Sequence, residues 1–254
     1  MICPPSLPFK KNCLKYTLEI ACFNAKSALM ASLAGADRIE ICDNLHEGGT
    51  TPSYGTVKYL KEKIDTPIFT MIRAKGGDFL YRNEEFAIMK KDLLLMKELG
   101  CEGVVLGFLK QNGTVDKART SQFVELAYPM EVTFHRAFDR AIYPLQALED
   151  IIDCGCQRIL TSGQKPSAVE GLPLLKELII QADDRIIILP GSGVNSGNIK
   201  TIFEEARTVE FHSAAKMSTP STMQYVNKQM NESLHDTMVN VDEITRMKEY
   251  LQSL

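Results

Sequence analysis

The chain has 254 residues, 44% of them hydrophobic and 24% charged, with a formal net charge of −3 and no tryptophan. That balance excludes the basic footprint of a nucleic-acid binder, and the dispersed lysines and arginines form no basic amphipathic stretch for a membrane surface. No apolar run approaches the roughly 18 residues of a spanning helix, and the N-terminus carries prolines and lysines where a secretory leader needs an apolar core, so the chain is expected to stay in the cytoplasm.

In chain order, residues 1–15 read as an N-terminal arm and 16–254 as one domain. Short apolar segments at 16–21, 38–42, 68–73, 103–108, 131–135, 158–161, 185–189 and 208–212 have the length of buried strands. The stretches 25–34, 53–63, 84–99, 116–127, 144–154, 168–181 and 198–206 between them have helical length and composition, and 241–251 supplies an eighth helix after a polar, methionine-containing piece. Pro52 suits a first helical turn after a cap at Thr51. Gly35, Gly100 and Gly155 stand just past helix ends, where a left-handed residue closes the last turn. The eightfold β-α alternation, with no second domain, points to an α/β fold of TIM (β/α)8 barrel type, with a doubly wound open sheet as its competitor. Seven cysteines without framework spacing suit a reducing compartment, and no Cys-x-x-Cys occurs among them.

Strand alternation gives the polar residues a common address. In Arg38-Ile39-Glu40-Ile41-Cys42 the isoleucines would pack against helices, leaving Arg38, Glu40 and Cys42 facing the barrel interior. The same rule turns Glu19, Arg73, His135 and His212 inward, near the strand C-termini where barrel active sites are built. Such groups suit acid/base work or a metal, although an inward Arg and Glu can also simply neutralise each other.

Loops on that face carry paired glycines at Gly48-Gly49 and Gly76-Gly77, which permit close backbone approach or merely tight turns. Pro190-Gly191-Ser192-Gly193-Val194 follows the seventh strand and leads to a helix start, a place where barrels bind phosphate. Ser162, Gly163 and Ser213 would be its neighbours.

The strings Gly35-Ala36-Asp37-Arg38-Ile39-Glu40-Ile41-Cys42, Glu47-Gly48-Gly49-Thr50-Thr51-Pro52-Ser53, Gly76-Gly77-Asp78-Phe79, Val132-Thr133-Phe134-His135-Arg136-Ala137-Phe138-Asp139 and Leu160-Thr161-Ser162-Gly163-Gln164 together resemble the copper homeostasis protein CutC family. Glu210-Phe211-His212-Ser213 fits as well. The resemblance implies a cytoplasmic TIM-barrel protein linked to copper tolerance, with Cu(I) binding proposed for some members. Members that bind copper carry a cysteine at the end of the first strand and another at the end of the second. Cys42 matches the second; the first aligns with Ala21, and Cys22 lies one residue on. Because a one-residue step reverses the face of a strand, Cys22 joins Cys42 only if the strand has ended or bulged there. The chain also has Ala74-Lys75 where the family usually has Pro-Arg.

Two functions are therefore expected in competition. In the first, Cys42 and Cys22 hold Cu(I), a soft ion suited to thiolate, with Met71 or a histidine assisting. In the second, the barrel is a lyase- or isomerase-type enzyme: Glu19, Glu40, His135 and His212 act as acid/base groups on a small anionic, phosphorylated or similar substrate. Arg38, Arg73, Lys75, Arg136, Asp139, Ser162, Gly191, Ser192 and Gly193 would bind it. A homodimer is expected in either case, with no nucleic-acid or membrane partner.

Overall fold

The computed structural model describes residues 16–230 and 234–254, so the expected arm lies outside the described residues. Eight parallel strands form a nearly closed barrel with helices around it: β1 (Thr17–Cys22), β2 (Arg38–Ile41), β3 (Ile68–Met71), β4 (Gly103–Leu106), β5 (Glu131–Phe134), β6 (Arg158–Thr161), β7 (Ile187–Pro190) and β8 (Glu210–Ser213). The ladder runs β7-β6-β5-β4-β3-β2-β1-β8, all parallel. Where β7 approaches β8, the Thr208 hydroxyl donates to the Ile188 carbonyl at 2.7 Å.

The surrounding helices are α1 (Ala25–Leu33), α2 (Tyr54–Lys61), α3 (Asn83–Glu98), α4 (Lys117–Ala127), α5 (Pro144–Asp153), α6 (Leu172–Ala182), α7 (Ile199–Ala206) and α8 (Val241–Gln252). Gly35, Gly100 and Gly155 follow α1, α3 and α5 with φ of +90°, +73° and +85°, a region that favours residues without a Cβ. Two helix starts differ from expectation. Ser53, not Thr51, caps α2 by accepting the Thr56 N–H, while the Thr51 hydroxyl accepts the Arg73 N–H. Helix α6 begins later than residue 168 because Pro173 is accommodated in its first turn, behind Gly171.

The polar piece after β8 contains an antiparallel pair that periodicity did not suggest, β9 (Lys216–Thr219) with β10 (Asp236–Val239). It is anchored on α1, where Asn24 Nδ2 donates to the Thr237 carbonyl and the Ser27 hydroxyl meets Met238 Sδ. Its hydrogen bonds are with the barrel's flank rather than with a sheet of the core.

Leu18, Ile20, Ile39 and Ile41 are wholly buried in the layer between strands and helices. The barrel interior is different. Glu19, Arg38, Glu40, Arg158, Glu210 and His212 are all buried, where interiors of this fold are normally filled by branched aliphatics.

Candidate functional site

Strand register stacks the buried charges in two levels. At the base, Arg38 Nε donates to Glu19 Oε2 and its Nη2 to Glu210 Oε2, each at 2.5 Å. Arg158 Nε meets the same Glu210 oxygen at 2.8 Å and its Nη1 reaches Glu131 Oε2. Phe69 lies beneath both guanidinium groups, 4.8 Å from Arg38 and 5.3 Å from Arg158. Arg38 is therefore a base-level ion-pairing residue, away from the mouth where a substrate would bind; it begins β2, and the N-terminal ends of parallel strands lie opposite the mouth. Alternation along β8 puts Glu210 on the inward face with His212, whereas the parts of Arg158 and Glu131 in this network are not legible in the sequence.

Glu19 joins the base to the level above. Its second oxygen receives His212 Nδ1 at 2.7 Å, and His212 Nε2 lies 3.9 Å from Glu40 Oε2. Glu40 Oε1 is buried with no partner among the described residues, and Cys42 Sγ lies 3.5 Å from Oε2. Burial alone would raise the Glu19 carboxyl, but Arg38 and His212 outweigh it and hold the group down at about 2. Burial dominates at Glu40 and, despite His212, pushes it up to about 7. His212 is opposed by burial yet raised by Glu40 and Glu19. His212 thus stands between one carboxyl held low and one pushed up toward neutrality. The His212 ring fits because of Gly191: a Cβ there would lie 2.5 Å from Leu160 Cδ1 and 3.2 Å from His212 Cδ2.

The mouth cavity, about 170 Å³, opens above this level and is lined by Glu40, Met71, Arg73, Phe79, His135 and His212 together with Arg136, Ser192, Gly193 and Lys216. His135 is buried, and its Nδ1 accepts the Ala137 N–H at 3.2 Å. Phe79 stacks on it with ring centroids 4.8 Å apart, and Gly107 makes room on the other side, where a Cβ would come within 2.6 Å of Nδ1. Burial first, then the Arg73 charge, depress its basicity to about 3, so His135 is neutral at physiological pH.

Arg73 serves as a loop clamp as well as a cavity wall. Its Nη1 donates to the carbonyls of Glu47 and Gly49, and Nη2 to Gly77, tying together the two diglycine loops. Lys75 is paired with Asp78 at 2.5 Å and is not among the cavity-lining residues. Arg136 bonds Asp139 at 2.7 Å and the Ser162 hydroxyl at 3.1 Å from the cavity rim. Asp139 accepts the Thr161 hydroxyl and the N–H groups of Ser162 and Gln164, so it organises the loop after β6. Ser192 directs its hydroxyl to the Pro166 carbonyl, outside the cavity.

The loop after β7 leads to a helix entry that the protein fills itself. Glu243 of α8 accepts the Ser196 N–H and hydroxyl, Asn198 Oδ1 accepts the Asn195 N–H, and Asn195 Oδ1 accepts that of Gly197. An internal carboxylate thus takes the donors of Ser196 at this helix entry, three residues past Gly193. Sequence distance hid this, since Glu243 is contributed by the last helix.

The two thiols of the expected metal pair lie on opposite faces. β1 continues without a bulge through Cys22, which pairs with Ile41 and belongs with Leu18 and Ile20 in the helix-side core. Cys42 belongs to the interior cluster with Phe69, Met71 and Val105. Both thiols are raised by burial and then by Glu40. Gly49 roofs the inner one, since a Cβ there would lie 3.2 Å from Cys42 Sγ and 3.4 Å from Met71 Cε. Glu19, Glu40 and His212 offer ligand atoms within 4.8 Å of one another. That oxygen-rich set suits harder cations than Cu(I), and Glu19 is already engaged on both oxygens.

The model of the CutC family matches residues 16–217. The chain belongs to the CutC family. A copper homeostasis protein cutC homolog from Homo sapiens is 40% identical over 237 residues, covering 92% of this chain and 87% of the relative. A family protein CutC from Chromobacterium violaceum is 48% identical over 208 residues, covering 82% and 84%. The crystal structure of a CutC protein from Streptococcus agalactiae superposes with a TM-score of 0.74 at 32% identity, covering 78% of this chain and 98% of that one. Phosphoribosyl anthranilate isomerase from Thermotoga maritima, at 11% identity and a TM-score of 0.61, shares the barrel fold. The copper homeostasis family and the barrel are thus those the sequence motifs pointed to. Among the described residues no helix is long and apolar enough to cross a membrane.

Proposed function

We propose that this chain serves copper homeostasis in the cytoplasm by binding Cu(I) at the floor of the barrel mouth, with Cys42 as the thiolate anchor and Met71 as an assisting donor. The observation that carries this is the placement of Cys42. Of the cysteines described as free and buried, it is the one in the interior cluster, beside the thioether of Met71. A buried neutral thiol accepts Cu(I) by exchanging its proton for the ion, which leaves the local charge unchanged. Glu40, 3.5 Å from the sulfur and lining the mouth cavity, is placed to relay that proton out to solvent. Cys22 has no part in the site, because its side chain lies in the layer beneath the helices. Anaerobic Cu(I) titration against a competing chelator tests this. Cys42→Ser should weaken binding by at least about 100-fold, since even outer-shell changes cost about 10- to 100-fold, while Cys22→Ser should leave it intact. The reverse pattern, or indifference to both, would refute the assignment.

One observation favours a second reading. The chain Glu19–His212–Glu40 joins a carboxyl held low, an imidazole whose basicity both carboxyls raise, and a carboxyl pushed up to about 7, which is the equipment of general acid/base catalysis rather than of metal storage. In that role Glu40 would remove a proton next to a carbonyl. Deuterium incorporation from solvent into the methyl group of pyruvate should then be faster with the protein than with Glu40→Gln; equal rates would sink this reading.

A further inference from the structure

The mouth cavity contains a donor with nothing to donate to. His135 Nε2 is buried and unpartnered among the described residues. The Ala137 N–H occupies Nδ1, so Nδ1 must present its lone pair and the ring proton must be on Nε2, at the opposite edge. The ring is held on three sides, by Phe79, by Gly107 and by the 3-10 turn Arg136–Arg140 that begins directly after it. A buried polar group without a partner costs about 1 to 3 kcal/mol, so a donor fixed this firmly has a ligand to reward it.

The cavity's charges say what kind. Arg73, Arg136 and Lys216 line it and favour an anion, and the Arg73 Nε is itself buried without a partner. Glu40 also lines the cavity with an unpartnered Oε1, and a carboxyl there disfavours a dianion more than a single negative charge. The cavity, about 170 Å³, has room for a small organic anion.

We propose that the cavity binds a small monocarboxylate carrying a carbonyl group, with one of its oxygens accepting the His135 Nε2–H beneath the Arg73 and Arg136 charges and its other end facing Glu40. The neutral imidazole acts as a preorganised donor, aimed before the ligand arrives and needing no proton change to bind it. The site overlaps the one proposed for copper at Met71 and Glu40 but leaves out its anchor: Cys42 does not line the cavity, and His135 belongs to no soft-donor cluster. It deepens the acid/base reading and rests on it for what Glu40 would do to the bound molecule, while binding itself is measured separately.

The test uses the full chain labelled with 15N-histidine and observes the imidazole nitrogens by NMR. Pyruvate, acetate and inorganic phosphate are added separately up to about 10 mM, ten times a weak small-ligand Kd of about 1 mM. The proposal expects pyruvate to shift the His135 Nε2 resonance saturably, with the Nδ1 lone-pair signature retained, and to bind more tightly than phosphate. His135→Gln, which keeps a donor near the Nε2 position, should bind pyruvate within a few-fold of the parent, whereas His135→Met should lose about tenfold or more. Cys42→Ser should bind pyruvate normally, so a failed copper site and a failed carboxylate site are told apart. Pyruvate binding without deuterium exchange would dismiss the catalytic reading and keep this one. No shift at His135 with any probe, or a preference for phosphate, would overturn it, and these readings on the parent protein need no variant to fold.

Discussion

Replacing Glu40 by glutamine changes a buried carboxyl into a neutral group of the same shape, and the structure sets the size and sign of the effect. Glu40 is 3% exposed, has an unpartnered Oε1, and is pushed by burial from the ordinary 4.5 up to about 7, against the pull of His212. In the unfolded chain the group ionises near 4.5, whereas the folded protein keeps its proton until about 7. Across that window the folded state binds more protons, so its stability falls as pH rises. At 1.36 kcal/mol per pH interval the loss is about 3 kcal/mol once pH exceeds 7. Glutamine never ionises and escapes it. Parent and Glu40→Gln should therefore be nearly equally stable at about pH 4.5, and the variant should lead by up to about 3 kcal/mol at about pH 8. With about 2–4 °C per kcal/mol in a chain of this size, the gap in Tm is about 6–12 °C. Urea unfolding and calorimetry across that range measure it. A difference that does not vary with pH, or a variant less stable at high pH, would show that Glu40 is not a carboxyl whose ionisation is resisted by its surroundings.

Arg38→Ala should cost about 3–5 kcal/mol in urea unfolding, because Glu19 and Glu210 would be left buried without their shared cation. The same change would also release Glu19 to titrate upward, so the loss should shrink as pH falls and that carboxyl protonates; a loss that is constant with pH would point to packing instead. Gly191→Ala should displace the His212 ring, since the new methyl would stand 2.5 Å from Leu160 Cδ1 and 3.2 Å from His212 Cδ2. Its signature is an altered His212 titration by NMR, and an unchanged one would refute the packing role. Gly76→Ala should also destabilise in urea unfolding, because its Cβ would clash with the Glu47 carboxylate and come within 2.9 Å of Glu47 Cβ, which rotation of the side chain does not move; an unchanged stability would refute the close approach.

The family motifs and the β-α alternation were both legible, and so was the inward turn of Glu19, Glu40, His135 and His212, because alternation in a strand is a local property. What each inward residue then does was less legible. Arg38 was read as a binding residue and is a base-level ion-pair partner, since the register pairs it with Glu19 and the strand start places it away from the mouth. The Gly191–Gly193 loop was read as a phosphate cradle, and Glu243, some fifty residues later, supplies a carboxylate to the neighbouring N–H groups. The β9–β10 pair was invisible because its residues show no apolar alternation and its anchor is α1.

By itself the sequence determined the barrel, the family and the face on which each strand residue stands, because helix length, turn glycines and strand parity are set by neighbours in the chain. Its one-residue offset between Ala21 and Cys22 already posed the question of a thiol pair. Only the tertiary structure answered where the sulfurs lie, by carrying β1 unbroken through Cys22 and sending that thiol under the helices while Cys42 faced inward. It also decided which charges neutralise one another and which polar atoms, Glu40 Oε1 and His135 Nε2 among them, are left open to a ligand. Those outcomes depend on the register of eight strands and on loops far apart in sequence, and electrostatic pairing acts across space rather than along the chain.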